Sequence, residues 1–320
     1  MILVTGGTGF IGRALIRHLV EAGQPVRILI KPSAQSPDIP KGVPVEVAVS
    51  GLTDDRGLRG AMVGVDVVYH LASGEWKGPR ASLMDIDIKG TQAVARAAAN
   101  AGVNRFFYVS HLGADRASAF PVLKAKAIAE EHIRRSGVDY TILRSAIVYG
   151  STDGFTTGIA RLLHSLPFIF LIPGDGNTLL QPLWVEDLVT CMTWALDDES
   201  TRNRTLEIGG PEYFTFRQIV EQIMEVTGCR RSLVTMRPPY LRGLTVFIEH
   251  ILPGLPVSVY WIDYLAGNRT CPLDALPHIF NLAPARFSQR LAYLRGQNWR
   301  LSFIKVLRSQ GRAGAKEPNK

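Results

Sequence analysis

A glycine-rich segment near the N-terminus has the residue types and spacing that most directly indicate chemistry. The run Thr5–Gly12 reads TGGTGFIG, follows the apolar run Ile2–Thr5, and includes Thr8 between its glycines. It satisfies GxGxxG and also GxxGxxG, and such glycines allow unusual backbone angles and close approach of a pyrophosphate. A helix beginning here would offer free N–H groups to phosphates. The segment predicts a phosphate-binding turn, and a glycine-rich turn without a ligand is the alternative.

The residue after the second strand-like run bears on the cofactor that such a turn would bind. A site that prefers NAD usually has an acid about 20 residues after the glycines to hold the ribose hydroxyls. Here the run Arg27–Lys31 ends in a cation. Lys31, together with Arg13, would pair with a 2′-phosphate, so NADP(H) is favoured over NAD(H). The alternative is a solvated lysine at the end of a strand.

The elements that must position this turn alternate regularly up to about residue 150. Strand-like runs are Ile2–Thr5, Val26–Ile30, Val43–Val49, Val65–Leu71, Phe106–Ser110 and Tyr140–Leu143, with helical patterns between them, such as the alanine-rich Thr91–Ala101. This rhythm predicts an α/β, doubly wound parallel sheet of the Rossmann type. We expect a dinucleotide-binding domain at 1–150, a smaller, mostly helical lobe at 151–295 with some chain returning to the sheet, and a tail at 296–320.

Composition narrows the class of protein. The 320 residues are 46% hydrophobic and 20% charged, with 30 Gly and 19 Pro, which excludes disorder, collagen and coiled coil. Three distant cysteines without CxxC spacing favour a reducing compartment, and we expect a cytoplasmic protein. We find neither a signal-peptide pattern nor an uninterrupted membrane span. The seven histidines are dispersed, so no metal site is expected.

The positive charge is concentrated in the C-terminal tail. Lys and Arg number 36 against 28 Asp and Glu, giving a net charge of +8. Trp299, Phe303, Val306 and Leu307 recur at helical spacing among basic residues. This amphipathic segment is suited to contact an anionic membrane surface, such as the inner face of a membrane, or a membrane protein complex. The alternative is a terminal helix packed on its own domain. No motif indicates nucleic-acid binding.

Several further motifs together resemble one family. Besides the glycine turn, they are Val67–Ser73, Asp87–Thr91, Ala101–Ser110, Leu143–Gly150, Gln181–Asp187 and Gly209–Pro211. The set is similar to the extended short-chain dehydrogenase/reductases. It is more similar to their atypical members, which include the nucleotide-binding accessory subunit of respiratory complex I and the photosystem assembly factors. The resemblance spans most of the chain and implies a Rossmann fold that binds NAD(P).

The resemblance also implies where a dinucleotide would lie. By this resemblance Gly6, Gly9, Phe10, Ile11 and Gly12 line the pyrophosphate; Leu71, Ala72 and Ser73 pass the adenosine ribose; and Ser145, Ile147 and Val148 lie near the nicotinamide. In the family an Asp after the third strand often touches adenine. Here Gly51 stands at that position.

The sequence departs from the family pattern at the catalytic positions. Active members carry Tyr-x-x-x-Lys on a helix, where the lysine lowers the pKa of the phenol during hydride transfer. Aligning Lys126 with the family lysine places Val122 at the tyrosine position, and aligning Lys124 instead places Phe120 there. The sequence therefore predicts that the phenol is absent. Lys126 could still hold the nicotinamide ribose.

Two functions follow from these expectations. The first is an NADP(H)-binding protein that keeps its nucleotide for structure, sensing or assembly of a larger complex. The second is a true reductase of an apolar substrate, in which Lys126 works with Ser110 or His111. A sugar-nucleotide epimerase or dehydratase ranks below both, because that chemistry also uses the absent phenol.

Overall fold

The computed structural model describes residues 1–33, 42–75, 82–251 and 258–314. Within these ranges the strands are β1 Ile2–Thr5, β2 Val26–Ile30, β3 Glu46–Val49, β4 Val67–His70, β5 Arg105–His111, β6 Tyr140–Ser145, β7 Val148–Tyr149, β8 Ile169–Pro173, β9 Leu179–Leu180, β10 Leu183–Trp184, β11 Arg204–Ile208, β12 Phe214–Thr215 and β13 Ser232–Met236. The α-helices are α1 Phe10–Glu21, α2 Asp55–Ala61, α3 Thr91–Asn100, α4 Pro121–Arg135, α5 Thr156–Ser165, α6 Val185–Trp194, α7 Phe216–Thr227, α8 Pro238–Ile251, α9 Val259–Tyr264, α10 Ala275–Phe280 and α11 Trp299–Gly314. A π-helix covers Met84–Gly90, and 3-10 helices cover Glu199–Thr201 and Phe287–Leu294.

The chain divides into two compact units, and the first contains the large sheet. This unit comprises Met1–Ala146, Val185–Gly209 and Cys271–Pro284. Its sheet has the strand order β11-β6-β5-β4-β1-β2-β3, and every neighbouring pair is parallel. The chain order reverses at β1, which pairs with β2 on one side and β4 on the other. Doubly wound sheets bind ligands at such a reversal, beyond the carboxyl ends of the strands.

Apolar side chains cover both faces of this sheet. Because successive residues of a strand point to opposite faces, β5 sends Phe106 and Tyr108 one way and Phe107 the other. Phe106 and Tyr108 join a buried cluster that includes residues of α2, α3 and α4. The ring of Phe107 stacks on Tyr69, whose hydroxyl donates a hydrogen bond to a carbonyl of α6. Helices on both faces explain why β1, β4, β5 and β6 are mostly buried, whereas the edge strand β3 is mostly exposed.

The second unit comprises Ile147–Trp184, Gly210–Thr270 and Ala285–Lys320. Its strands form three two-stranded pairs: β7 with β10, β8 with β13, and β9 with β12. Helix α7 begins in a capping box between Thr215 and Gln218 and ends at Gly228, whose φ is +67°. Helix α5 packs against α7 and α11, and α8 packs against α9. Short strands and several helices make this unit unlike the first.

The expected α/β doubly wound fold is confirmed, and its differences from prediction are local. The third strand begins at Glu46 rather than Val43, and the second strand has the predicted bounds. Residues 236–290, for which the sequence predicts no individual elements, contain three helices, α8, α9 and α10. No described helix is both long and apolar enough to cross a membrane.

The tail forms the predicted helix, and within its unit that helix packs on α5. Trp299 is buried and donates its indole N–H to the carbonyl of Leu294. The side chain of Arg161 on α5 donates a hydrogen bond to Ser302. This packing agrees with the alternative of a terminal helix packed on its own domain. Residues 315–320 of the predicted tail lie outside the described residues.

Candidate functional site

The glycine turn lies at the carboxyl end of β1, where the order of the sheet reverses. Gly6 has a φ of +71°, a conformation that glycine adopts without strain. A Cβ built on Gly6 would lie 2.6 Å from the backbone of Leu71 and Ala72, just after β4. No side chain fits in that space. The turn and the Leu71–Ser73 segment therefore lie in contact, as two walls of one site in the first unit.

The two flanking glycines bring the turn and α1 close together. A Cβ on Gly12 would lie 2.3 Å from the carbonyl oxygen of Gly6, and a Cβ on Gly7 would lie 2.8 Å from Ile16 and Ile28. These separations are far shorter than van der Waals contact. The sequence pattern thus reflects backbone packing that no larger residue allows.

The N-terminus of α1 is open to an anion. Gly9 is the N-cap and supplies no side-chain hydrogen bond, so the first turn of α1 has no side-chain cap. Thr8 and Gly9 are exposed, while Phe10 and Ile11 are half-buried. Exposed N–H groups, the positive end of the helix dipole and a cradle that a Cβ would fill together fit the diphosphate of a dinucleotide.

The residues expected at the adenine end follow β2 and β3 and lie in the first turn of α1. Lys31 is exposed directly after β2, and Arg13 is half-buried in the first turn of α1. Gly51 follows the buried Ser50, whose hydroxyl donates to the Gly51 carbonyl at 3.0 Å. These positions agree with a cation, rather than a carboxylate, after β2.

A buried charge cluster lies beyond the carboxyl ends of β4 and β5. It consists of Ser73, Glu75, Asp87, His111 and Lys126, and we call it the Lys126 cluster. The Lys126 Nζ atom lies 3.3 Å from Ser73 Oγ and 3.5 Å from a carboxylate oxygen of each of Glu75 and Asp87. His111 Nε2 lies 2.8 Å from Glu75 Oε2. Ser73 Oγ and the Gly74 N–H donate to Asp87 at 2.6 and 2.9 Å.

The charges of this cluster stabilise one another. Burial alone would raise the pKa of Glu75, but the positive charge of Lys126 and the contact with His111 lower it below its ordinary value. Burial alone would lower the pKa of Lys126, but Glu75, Tyr108 and Asp87 raise it above its ordinary value. Because its pKa is raised, Lys126 stays an ammonium at neutral pH and attracts the carboxylates beside it. For the same reason it is a poor proton donor.

Lys126 is the lysine that α4 turns inward. Its side chain is buried, whereas Lys124, two residues earlier on the same helix, is exposed. Four residues before Lys126, Val122 is half-buried. The Lys126 ammonium also lies 5.3 Å from the centre of the Tyr108 ring, within the range of a cation–π contact. The structure thus favours Lys126 over Lys124 as the lysine of the site.

His70 fixes the ends of neighbouring elements beneath this site. Its Nδ1 lies 2.7 Å from the Thr5 hydroxyl of β1, and its Nε2 lies 2.9 Å from the Thr91 hydroxyl of α3. Burial and, to a smaller extent, the charge of Lys126 lower the pKa of His70 to about 3. The imidazole is therefore neutral at physiological pH and acts as a structural link.

The remaining candidate residues are divided between the units. Ser110 is fully buried at the end of β5, and among the described residues its hydroxyl has no hydrogen-bond partner. Ser145 is buried, and its hydroxyl donates to the Ser110 carbonyl at 3.3 Å. Ile147 and Val148 belong to the second unit, where β7 pairs with β10. Ser73, His111 and Lys126 are thus brought into one cluster, with Ser110 adjacent to His111 in the chain.

Sequence reasoning missed Glu75 and Asp87. Asp87 stood within a motif of the family resemblance, but no role was assigned to it, and Glu75 was not considered. A signal was present, because Glu75 follows the end of β4 by five residues and carboxyl ends of parallel strands meet at one edge of a sheet. A carboxylate at that edge is a candidate partner for a buried lysine.

Comparisons with known proteins agree with this geometry. A family model described as NAD(P)H-binding matches residues 6–167. The mitochondrial NADH dehydrogenase (ubiquinone) 1 alpha subcomplex subunit 9 of Arabidopsis thaliana is 31% identical over 288 residues, which cover 87% of this chain and 67% of that protein. The sterol demethylase protein B of Methylococcus capsulatus is 28% identical over 269 residues, covering 76% of this chain and 80% of that protein. The chain spans about two thirds of the length of such mitochondrial relatives.

A solved structure confirms the fold. The UDP-glucose 4-epimerase of Thermus thermophilus, in complex with NAD, superimposes with a TM-score of 0.68 at 21% identity, covering 96% of this chain and 98% of that one. The sheet order and the glycine turn at its reversal define a Rossmann-type fold, in which such a turn binds dinucleotides. The chain belongs to the NAD(P)H-binding family.

Proposed function

We propose that this protein binds NADP(H) and keeps the nucleotide for a structural, sensing or assembly role in a larger protein complex. The observation that carries the proposal is the glycine cradle at the switch point, with an N-terminus of α1 that has no side-chain cap. The relative that is a subunit of NADH dehydrogenase supports a place in a complex. Lys31 after β2 supports the 2′-phosphate of NADP(H).

The site residues have distinct roles in this proposal. Gly6, Gly9 and Gly12 admit the diphosphate, and the N–H groups at the start of α1 donate to it. Bound nucleotide supplies hydride chemistry only if a substrate and a proton donor are also present. The Tyr-x-x-x-Lys pattern has Val122 in place of tyrosine, and the raised pKa of Lys126 makes its ammonium a hydrogen-bond donor to a ribose hydroxyl rather than an acid.

The test of binding is the recovery of nucleotide from purified protein. The protein is denatured, and the released nucleotides are separated and quantified after incubation with NADP(H) or NAD(H). We expect near-stoichiometric retention of NADP(H) and weaker retention of NAD(H). If neither NADP(H) nor NAD(H) is recovered after incubation at millimolar concentration, the proposal is contradicted.

The expected partner is tested separately from the nucleotide. The proposal includes contact of the C-terminal tail with a membrane protein complex or an anionic membrane surface, since Leu301 and Ile304 of α11 are exposed among basic residues. Deletion of 296–320 is expected to shift the protein from the membrane fraction to the soluble fraction of a cell extract. Unchanged fractionation would contradict the role of the tail. It would leave the proposal of nucleotide binding intact, because that proposal is tested by the recovery of nucleotide.

A second candidate function is an NADPH-dependent reductase of an apolar substrate. The observation that favours it is the contact of His111 with the buried Glu75, since a carboxylate that accepts a hydrogen bond from an imidazole fixes its orientation. In this reaction bound NADPH would supply a hydride to a carbonyl carbon, and His111 would supply the proton that the carbonyl oxygen takes up. The relative named as a sterol demethylase protein supports an apolar substrate.

Measurement of NADPH oxidation distinguishes the two functions. NADPH oxidation is followed with an apolar cyclic ketone, in the wild type and in the variants His111→Gln and Lys126→Ala. The first function predicts no turnover above the rate without protein. The second predicts slow turnover that His111→Gln reduces at least about 100-fold, the usual contribution of a general acid, with NADPH affinity unchanged.

A further inference from the structure

A groove on the second unit is lined mainly by cationic side chains, and we call it the arginine groove. Its volume is about 590 Å³, and its lining residues are Pro167, Phe168, Arg230, Arg231, Ser232 and Arg300. The parallel strands β8 and β13 both begin beside it, since residues 167–168 precede β8 and residues 230–231 precede β13. Half of the lining residues are arginines and none is acidic. The groove therefore combines a concave shape with charge of one sign.

Backbone carbonyls hold two of the three guanidinium groups in place. The Nε of Arg231 donates to the Leu166 carbonyl at 2.9 Å, and its Nη1 donates to the Arg230 carbonyl at 2.7 Å. The Nε of Arg300 donates to the His164 carbonyl at 3.1 Å. Residues 164 and 166 end α5, where helix carbonyls lack intrahelical partners. Because these two carbonyls are two residues apart, the guanidinium groups of Arg231 and Arg300 are held near each other.

The other donors of these side chains are not neutralised within the described part of the chain. There, no carboxylate lies within ion-pair distance of Arg230, Arg231 or Arg300. Likewise, Nη2 of Arg231 and both Nη atoms of Arg300 donate to no described residue. Guanidinium groups held near one another repel, and they cannot relieve this repulsion by losing a proton. A bound anion would therefore be stabilised in the groove.

The imidazole of His164 gives independent evidence that the two fixed cations are close together. Burial, followed by the charges of Arg231 and Arg300, lowers the pKa of His164 below its ordinary value. Its Nε2 is buried and has no hydrogen-bond partner among the described residues. Because both arginines act on this one imidazole, an anion bound to them would raise the pKa of His164.

Phe168 gives the arginine groove an apolar edge. Its side chain is 83% exposed, and its φ of +65° is uncommon for a bulky residue. Such conformations persist where the surrounding structure imposes them, and they cluster at ligand sites. The Phe168 carbonyl accepts a hydrogen bond from the N–H of Ser232 at 2.9 Å, which fixes residue 168 beside the start of β13. The exposed ring thus offers an apolar contact next to the arginines.

We propose that the arginine groove binds a phosphate-bearing ligand through Arg230, Arg231 and Arg300, with an apolar part of the ligand against Phe168. Phosphate fits this site because a guanidinium donates two parallel N–H bonds to its oxygens. Three cations also match a group with more than one negative charge, which a phosphate monoester or a diphosphate carries and a single carboxylate does not. A soluble phosphorylated compound and a phosphorylated lipid headgroup share this chemistry.

The inference does not depend on the dinucleotide site. All residues that line the arginine groove belong to the second unit, whereas the glycine turn belongs to the first. NADPH affinity should therefore be the same in the wild type and in the groove variant Arg230→Gln. Failure of this proposal and failure of dinucleotide binding are distinguishable, because each site has its own ligand and its own variants.

The test is titration calorimetry of the full chain with inorganic pyrophosphate at low salt. Arg230→Gln removes an exposed cation whose side chain forms no hydrogen bond or ion pair with a described residue. It should weaken binding at least about tenfold, because a charge-assisted hydrogen bond is lost. Arg231→Lys keeps the charge and loses the paired donors, so it should weaken binding severalfold.

The matched control is Arg295→Gln. It removes the same charge from an exposed arginine of the second unit that does not line the groove. It should change the affinity for pyrophosphate less than about threefold. Circular dichroism melting confirms that each variant is folded. Equal losses in Arg230→Gln and Arg295→Gln would overturn the proposal, and so would equal binding of pyrophosphate to the wild type and Arg230→Gln.

A second measurement distinguishes the two sources of phosphate. Vesicles of phosphatidylcholine alone and of phosphatidylcholine with phosphatidic acid are floated with the protein. Flotation with phosphatidic acid in the absence of pyrophosphate binding identifies a lipid headgroup, and the reverse result identifies a soluble ligand. In either case Arg230→Gln must weaken the binding. Binding to neither probe would overturn the proposal.

The pKa of His164 locates the bound probe. It is measured by NMR with and without the probe that binds, and His164→Gln identifies its signal. Binding in the arginine groove should raise this pKa, because the anion offsets the charges of Arg231 and Arg300 that lower it. An unchanged pKa at saturation would place the probe elsewhere and would overturn the proposal.

Discussion

Two parts of the first unit are built in different ways. The glycine turn, Thr5–Gly12, is one continuous segment whose geometry comes from its backbone. The Lys126 cluster takes its side chains from the loop after β4, the π-helix, β5 and α4. Ser73 and Lys126 are 53 residues apart in the chain, yet their polar atoms are 3.3 Å apart.

This difference separates what a local pattern specifies from what the fold must assemble. The turn needs glycine because Cβ atoms would collide with its own backbone, so its sequence is tightly constrained. The cluster needs only compensating charges in a buried place, and several sequences satisfy that requirement. Substitutions should therefore act on packing at the turn and on electrostatics at the cluster.

The largest effect is expected at Lys126. Lys126→Met leaves two buried carboxylates, Glu75 and Asp87, without their ammonium partner, which typically costs about 3–5 kcal/mol. Urea unfolding at neutral pH measures the change in the free energy of unfolding. Lys124→Met is the control, since Lys124 is exposed on the same helix, and it should change stability by less than about 0.5 kcal/mol. Equal effects at both positions would contradict the charge cluster.

At the turn, Gly12→Ala should act through steric overlap. Its Cβ would lie 2.3 Å from the Gly6 carbonyl oxygen, so the backbone must move, at a cost of about 1–3 kcal/mol. Dinucleotide affinity should fall as well. Gly60→Ala in α2 meets open space and should raise stability by up to about 1 kcal/mol. A stable Gly12→Ala protein with full affinity would show that the close packing is not required.

His70 lies between the two parts, since it contacts Thr5 of the turn and the charge of Lys126 lowers its pKa. The pH dependence of the free energy of unfolding tests whether its imidazole is buried and neutral. Its folded pKa is about 3, against an ordinary value of 6.5, so between these values the unfolded chain binds the proton and the folded chain does not. Stability should fall by about 2 kcal/mol from pH 7 to pH 5 on account of this group. Urea unfolding at each pH should show a smaller fall in His70→Gln. An identical fall in both proteins would contradict a buried neutral imidazole.

The smallest effect is expected at the adenine end. Lys31→Glu replaces a cation with an acid after β2, and should shift the ratio of NADPH to NADH affinities about tenfold toward NADH, or about 1.4 kcal/mol. Titration calorimetry with each nucleotide measures the ratio. Lys31→Gln, which removes the charge alone, should give an intermediate ratio. An unchanged ratio of NADPH to NADH affinities in Lys31→Glu would mean that other residues recognise the 2′-phosphate.

Much of the fold could be predicted from local signals. The alternation of strands and helices predicts the sheet, and a capping box at Thr215 and Gln218 with a glycine at Gly228 marks both ends of α7. Residues 236–290 were different. Helix α8 has apolar residues on more than one face, since Tyr240 and Phe247 are exposed while Leu241 is buried, so the sequence pattern does not show which face packs.

The candidate site could be predicted only in part. The turn was identified because its glycines are consecutive in the chain, and Lys126 was identified through a family pattern. Glu75 and Asp87 were missed, because the pairing of residues 51 and 39 positions away from Lys126 depends on the sheet order. Whether α4 turns Lys126 or Lys124 inward likewise follows from its packing on the sheet.

The most direct measurement of the central claim is NADPH titration of two variants at one exposed position of the turn. Thr8→Asp places a negative charge beside the N-terminus of α1, and Thr8→Asn is its neutral counterpart of nearly equal size. If the turn holds a diphosphate, the aspartate variant should bind NADPH at least about tenfold more weakly than the asparagine variant, because like charges oppose each other there. Equal affinities in the two variants, or no binding by the wild type, would contradict the claim.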